Sequence, residues 1–255
     1  MPVRATSKDL MSKNRETVMT GKKTAILVDG AFYRRRAYHL FGGEKEPADR
    51  ANELIEYCSR HLISNGYRND LYRIFYYDCP PLSGNIYHPL KMKPINMSKT
   101  PVYKWSCEFL SELTKKRKLA LRMGVLQESE SGYRIKDKTV NKLCRGEMSV
   151  SDLSDSDFEP NFVQKGVDMR IGIDIVTIAT KRQADQIILI AGDSDFVPAA
   201  KYARREGIDF VLDPMWQRIK PELNEHIDGL RTCTSSCPSP LAEPLHIDYG
   251  SCNSR

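Results

Sequence analysis

Short apolar runs, each closed by an acid or a turn residue, set the rhythm of this chain. Residues 24–29 (TAILVD) are almost continuously apolar and run into Asp29-Gly30, which predicts a strand buried on both faces. Residues 70–78 carry a second such run, LYRIFYYD, stopped by Cys79-Pro80-Pro81. Residues 119–126 (LALRMGVL), 186–191 (QIILIA) and 208–213 read as three more strands. Between them the period changes to that of a helix. Over residues 48–66, Leu54, Ile55, Cys58, Leu62 and Ile63 fall on one stripe, with Gly66 beyond the end. Residues 102–116 predict a second helix. Residues 167–181 predict a third, with Ile171, Ile175 and Ile178 on one face. Residues 195–206 predict a fourth, with Pro198 in the first turn and Gly207 past the last. Residues 216–227 are read as a final helix.

Alternation of strand and helix favours a parallel sheet with helices on both faces, an α/β/α sandwich. The pattern sets the domain at 23–230. Residues 1–22 are polar and aperiodic, which predicts a flexible arm. Residues 231–255, rich in Ser, Pro and Cys, predict a disordered tail. The proline-rich stretch 81–100 is expected to be a loop. Residues 127–161 interrupt the alternation as an insertion. Within it, 133–140 suits a hairpin arm, and the acidic, serine-rich 149–159 is expected to be mobile.

Composition narrows the class. The chain has 255 residues, of which 40% are hydrophobic, enough for one well-filled domain. No apolar run approaches the roughly 20 residues that span a bilayer, and the first residues lack the apolar stretch of a secretory signal. The expectation is a soluble, cytoplasmic protein without membrane association. Seven irregularly spaced cysteines fit reduced thiols better than a disulfide framework. Cys233 and Cys237 have no matching Cys/His pair to complete a zinc site. A net charge of +6 is compatible with nucleic acid without requiring it.

The chemistry lies where strands end, because ligands of parallel α/β sheets bind beyond the carboxyl ends of the strands. Asp29 closes the first strand, and Asp193 and Asp195 follow the fourth in Gly192-Asp193-Ser194-Asp195. Asp168 opens the helix between them. Asp174 is six residues further on, about 600° of helix rotation away, and so on a different face. Uncompensated carboxylates repel one another unless a cation sits among them, and hard oxygen donors suit Mg²⁺ or Mn²⁺. With a phosphodiester substrate, such an ion activates water and neutralises charge. Asp29, Asp168 and Asp193 are assigned as principal ligands, direct or through water. Asp195 completes the pocket or orients the attacking water, and Ser194 is placed to bind a ligand water. Each acid has an ordinary alternative. Asp195 or Ser194 suits a helix cap, Asp29-Gly30 a turn, and Asp168 a favourable helix start. Asp78 and Asp213 also end strands and read as turn residues. The signal is the combination.

Four stretches, ILVDGAFY (26–33), YYD (76–78), QKGVDMRIGIDIV (164–176) and IILIAGDSDFVPAAKYARREGIDFVL (187–212), together resemble the NYN domain, and within it the LabA-like branch. The resemblance extends over about residues 23–215 and implies a single PIN-like domain and Mg²⁺- or Mn²⁺-dependent RNA cleavage. The family's acidic positions map onto Asp29, Asp168, Asp193 and Asp195, with Asp174 a weaker candidate. Many members carry Asn shortly after the first Asp-Gly, where this chain has Phe32, so that amide is missing or supplied elsewhere.

For RNA, expected to be single-stranded, the cationic candidates are Arg34, Arg35 and Lys165, with Tyr33 available to stack a base. A domain that holds RNA or a protein partner without cutting is the second reading, and a homodimer is left open. A phosphatase of the haloacid-dehalogenase type is disfavoured, because the second acid it needs on the first strand is Ala31 here.

Overall fold

The computed structural model describes residues 21–64 and 67–234. The arm through residue 20, Gly66 and the tail beyond 234 lie outside the described residues.

The chain begins with β1 (Lys23–Asp29), α1 (Gly30–Leu40) and α2 (Pro47–His61). A small pair, β2 (Ile63–Ser64) and β3 (Tyr67–Arg68), leads into β4 (Asp70–Asp78). Next come a hairpin of β5 (Asn85–His88) and β6 (Lys93–Asn96), α3 (Pro101–Thr114) and β7 (Leu119–Met123). A long antiparallel ribbon follows, β8 (Val125–Ile135) and β9 (Phe158–Lys165), with α4 (Asp137–Cys144) between its arms. The chain then runs through α5 (Val167–Thr180), β10 (Gln186–Ile190), α6 (Val197–Arg205), β11 (Asp209–Asp213), α7 (Pro221–Asn224) and β12 (Gly229–Leu230).

Six strands form one sheet in the order β12-β11-β10-β1-β4-β7, parallel at every pairing. The expected α/β class with a central parallel sheet is what the chain adopts. Both faces are covered, so β1 is apolar throughout. Ala25 and Leu27 pack beneath α5 and α6, while Ile26 and Val28 pack beneath α1, α2 and α3. From β1 the chain steps one way to β4 and β7, then returns to lay β10 on the other side of β1. The carboxyl ends of β1 and β10 therefore flank the point where strand order reverses, the usual ligand-binding crevice of such sheets.

Several expectations shift. A helix, α1, stands directly after Asp29 where no element was assigned. The helix expected over 48–66 stops at His61. The expected loop 81–100 contains the β5–β6 hairpin. In the insertion, the ribbon and α4 replace a single hairpin arm. Residues 149–159 include two short turns, each closed by an aspartate oxygen on a serine amide (Asp152 on Ser149 and Asp157 on Ser154, both 2.9 Å). The final helix shrinks to α7, because Met215 and Trp216 take left-handed backbone angles (φ 46° and 64°) that a helix cannot continue through. Residues 231–234 are held rather than loose: Arg231 donates to the Leu212 carbonyl at 2.9 Å, and Thr232 to Asp213 at 2.8 Å. The described cysteines, Cys58, Cys79, Cys107, Cys144 and Cys233, are free thiols. No described helix is long and apolar enough to cross a membrane.

Candidate active site

Asp29 is both the last residue of β1 and the cap of α1. Its Oδ1 accepts from the Phe32 amide at 3.0 Å, so the abrupt strand-to-helix turn fixes the carboxylate at the sheet's carboxyl edge. Asp193 repeats this arrangement on the neighbouring strand. After β10, Ala191-Gly192 carry the chain to Asp193, whose Oδ1 accepts from Asp195 N at 3.2 Å and caps a short 3₁₀ turn, Ser194–Phe196. Capping thus falls to Asp193, not to Ser194 or Asp195. Val28 of β1 is in register with Ile190 of β10, which brings the two caps to one end of the sheet.

Gly192 is required by a close approach. A Cβ there would meet Phe32 Cε2 at 2.6 Å and Gln217 Nε2 at 2.9 Å. Phe32, only 3% exposed, is therefore a packing residue that seats the loop bearing Asp193 against α1. It is an apolar wedge between α1 and that loop.

Asp168 lies in the first turn of α5, which Gly166 enters with a left-handed φ of 76°. Burial and then the negative charges of Asp29, Asp193 and Asp195 push its carboxyl up to about 6. Those three acids are near enough to Asp168 to act on its charge. Asp29 is also raised, by burial above all, against the opposing pull of the Phe32 and Ala31 amides and of Arg35 and Arg34. Asp174 stands apart: its Oδ2 accepts from Tyr77 Oη at 2.8 Å and from Arg122 Nε at 2.9 Å, so its charge is already engaged.

The cations divide by role. Arg34 grips buried Asp78 with both guanidinium nitrogens, Nη2–Oδ1 being 3.3 Å, and donates to Tyr76 Oη at 3.1 Å. Arg36 donates to the Met215 carbonyl through Nε at 3.0 Å and Nη2 at 2.6 Å, anchoring α1 to the loop after β11. Arg35 is exposed and acts on Asp29. Lys165 is exposed at the end of β9. Tyr33 corrects an expectation: it is fully buried and donates to Glu53 at 3.0 Å, so no ring face is left for a base.

Two residues escaped the sequence reading. Lys220 Nζ donates to Ser194 Oγ at 3.1 Å, adding a cation beside Asp193. It was absorbed into the expected last helix, although the basic pair Arg218 and Lys220 just past β11 was a signal. Asp78 was set aside as a turn residue, yet it is the buried acid that positions Arg34.

Among the described residues, no three His, Cys, Asp or Glu side chains are gathered closely enough to clasp an ion. The donors are nonetheless of one kind, hard anionic oxygens whose mutual repulsion a cation would relieve. Such a spread suits an ion that keeps much of its water, as Mg²⁺ does, rather than one caged by protein. Asp29, Asp168, Asp193 and Asp195 offer the type of donor that such a cation prefers.

A sequence model of the NYN domain matches residues 85–222. The match takes in Asp168, Asp193 and Asp195, leaves Asp29 and α1 outside, and is to the domain as a whole rather than to one branch. No curated protein matches the chain. Among solved structures, it is similar to a protein of unknown function from Vibrio parahaemolyticus RIMD 2210633, at 13% identity and a TM-score of 0.43, with 85% of this chain and 96% of that one covered.

Proposed function

The chain belongs to the NYN domain family and carries its PIN-like, nuclease-type fold, and from that premise we propose that it is a metal-dependent ribonuclease. What supports this reading is that Asp29, Asp193 and Asp195 stand at the carboxyl ends of two neighbouring strands, at the reversal point of the sheet, with Asp168 opening the helix that leads into β10. Bound there, Mg²⁺ or Mn²⁺ would supply an activated water, more readily deprotonated, as nucleophile, and a positive charge for the phosphodiester oxygens.

The protein's own groups do the rest. Asp29 and Asp193 are held by their capping bonds and present the cluster without reorganisation. Asp195, exposed on the 3₁₀ turn, orients the attacking water. Arg35, which acts on Asp29, and Lys220, on the Ser194 side of the site, set positive charge beside the acids and draw in the RNA backbone, with Lys165, three residues before Asp168, as a further cation.

The test is cleavage of a labelled single-stranded RNA with Mg²⁺ or Mn²⁺ against an EDTA control, comparing wild type with Asp29→Asn and Asp193→Asn. Asparagine caps a helix about as well as aspartate, so these variants keep the turn and lose only the charge. Metal-dependent cleavage that falls at least a hundredfold in both variants supports the reading. Wild-type protein that binds RNA but never cuts would instead favour the non-cutting binding domain.

A further inference from the structure

Beside the carboxylates lies a cavity of about 360 Å³ that the site described so far does not use. Its walls come from three elements that meet only in the folded chain: the Pro80-Pro81-Leu82 segment after β4, the first half of α3, and the β8–β9 ribbon. The ribbon is pinned there at Gly124, where a Cβ would come within 2.7 Å of the Lys165 carbonyl and 3.0 Å of Cys79 Sγ. This close packing brings Leu126, Pro160 and Phe162 over the end of β4. The insertion that broke the strand–helix alternation is therefore a wall of this cavity.

The cavity opens beside the acids. Asp29 is in register with Tyr77, so Asp78 and Cys79, which line the cavity, follow at the same edge of the sheet, and Arg34 of the helix that Asp29 caps lines it too. At Gly124, Cys79 Sγ and the Cγ2 of Val167, the residue before Asp168, lie 3.0 and 2.9 Å from where a Cβ would stand. The lining is mostly apolar and rich in proline, with Phe162 offering a ring 39% exposed, and hydroxyls and an amide (Thr100, Tyr103, Ser106, Gln164) are interspersed. A flat apolar body with a hydrogen-bonding edge meets that description. The volume is within the usual range for small-ligand sites, about 300–1,000 Å³.

We propose that this cavity binds an unpaired nucleobase of the RNA strand, next to the phosphodiester at the carboxylates. The inference rests on the ribonuclease reading for its substrate and adds a requirement to it. A base paired and stacked in a duplex cannot enter, so the cavity selects single-stranded or locally opened RNA. Phe162 and the prolines hold the faces of the base, and Ser106 and Gln164 read its edge, the Thr100 hydroxyl being engaged with the Met97 carbonyl at 2.7 Å.

The test measures binding in EDTA, so that nothing is cut, by fluorescence anisotropy. The probes are a labelled single-stranded RNA and a set of copies, each with one nucleotide made abasic. One abasic position should weaken binding to wild type by about tenfold, the order of one lost base stack. Phe162→Ala, at an exposed site, and Ser106→Trp, which fills the cavity, should both weaken binding of the intact strand and erase that positional difference. A set of abasic strands that all bind like the intact one overturns the proposal, as do variants that keep the wild-type profile. Nucleoside monophosphates, titrated separately, should bind far more weakly than the strand; equal affinity would make the site one for free nucleotides and also overturn it. Cleavage in Mn²⁺ is scored apart. Cutting without base dependence retains the ribonuclease and removes the cavity's role, whereas base dependence without cutting does the reverse.

Discussion

Arg34 and Asp78 form an ion pair in which the acid is buried and the base is partly open, side chains 2% and 31% exposed. The pair ties α1 to the end of β4 and sets the inner end of the cavity. Asp78 Oδ1 also accepts from the Cys79 amide at 2.8 Å, so the carboxylate has little freedom of its own. Asp78→Asn should cost about 1–3 kcal/mol, because Arg34 loses its counter-charge in a half-buried setting. Urea unfolding measures the loss, and an unchanged midpoint would show that the pair holds nothing together.

Gly192→Ala should be costly although the substitution is small. The added methyl meets the Phe32 ring, and either the ring or the Asp193 loop must yield. A loss of about 1–3 kcal/mol is expected for such overpacking. Phe32→Leu in the same chain should recover part of it. If the double variant is as unstable as the sum of the singles, the two residues do not share this contact.

What the sequence revealed and what it hid follow from range. The β1 and β10 runs were legible because a strand covered on both faces needs nothing but apolar residues. Asp29 and Asp193 were legible because they end those runs. The helix α1 was hidden by Arg34, Arg35 and Arg36, which dilute its apolar stripe. Two of these arginines are explained by partners far along the chain, Asp78 and the Met215 carbonyl. Nothing local separates Asp29 from Asp78 or Asp213, since each closes a strand. The difference lies in what arrives from elsewhere: other acids near Asp29, Arg34 at Asp78, and His61 at Asp213. Tyr33 reads as a base-stacking residue beside a site, but the face of α1 that carries it turns into the core against α2.

His61 gives the fold a pH dependence. Its Nε2 is 2.8 Å from Asp213 Oδ2, and both residues are fully buried. Burial alone lowers the imidazole, but bonding to Asp213 and to Cys233, and the charges of both, outweigh it and raise His61 from 6.5 to about 9. Below pH 6.5 folded and unfolded chains both carry the proton, and the contribution is fully present. Between 6.5 and about 9 the unfolded chain releases it first, so stability falls as pH rises. The loss should amount to about 3 kcal/mol at most. Urea midpoints over this window should drop for wild type and stay nearly level for His61→Gln; parallel curves would remove His61 as the cause.

Asp168 makes metal binding and pH answer to one another. In the metal-free chain its carboxyl stands at about 6 against an ordinary 3.8. The folded state therefore keeps the proton longer than the unfolded one. Ionised Asp168 weighs against folding from pH 3.8 upward, in full above about 6. Because the residue is open to solvent, screening reduces that cost to about 1 kcal/mol or less. A divalent cation reverses the balance, since it binds the ionised carboxylate and must displace the proton. Mg²⁺ or Mn²⁺ should raise the melting temperature at pH 7.5, where Asp168 is ionised, and raise it much less at pH 5. Asp168→Asn removes one of the two acids that hold their protons longer than usual, the other being Asp29. Its metal-induced shift should be smaller at pH 7.5 and should change less between pH 5 and 7.5 than that of wild type. Thermal melts with and without metal at the two pH values decide the matter. A metal response equal at both pH values in wild type would mean that the ion does not compete with a proton on Asp168, and would take that residue out of the site.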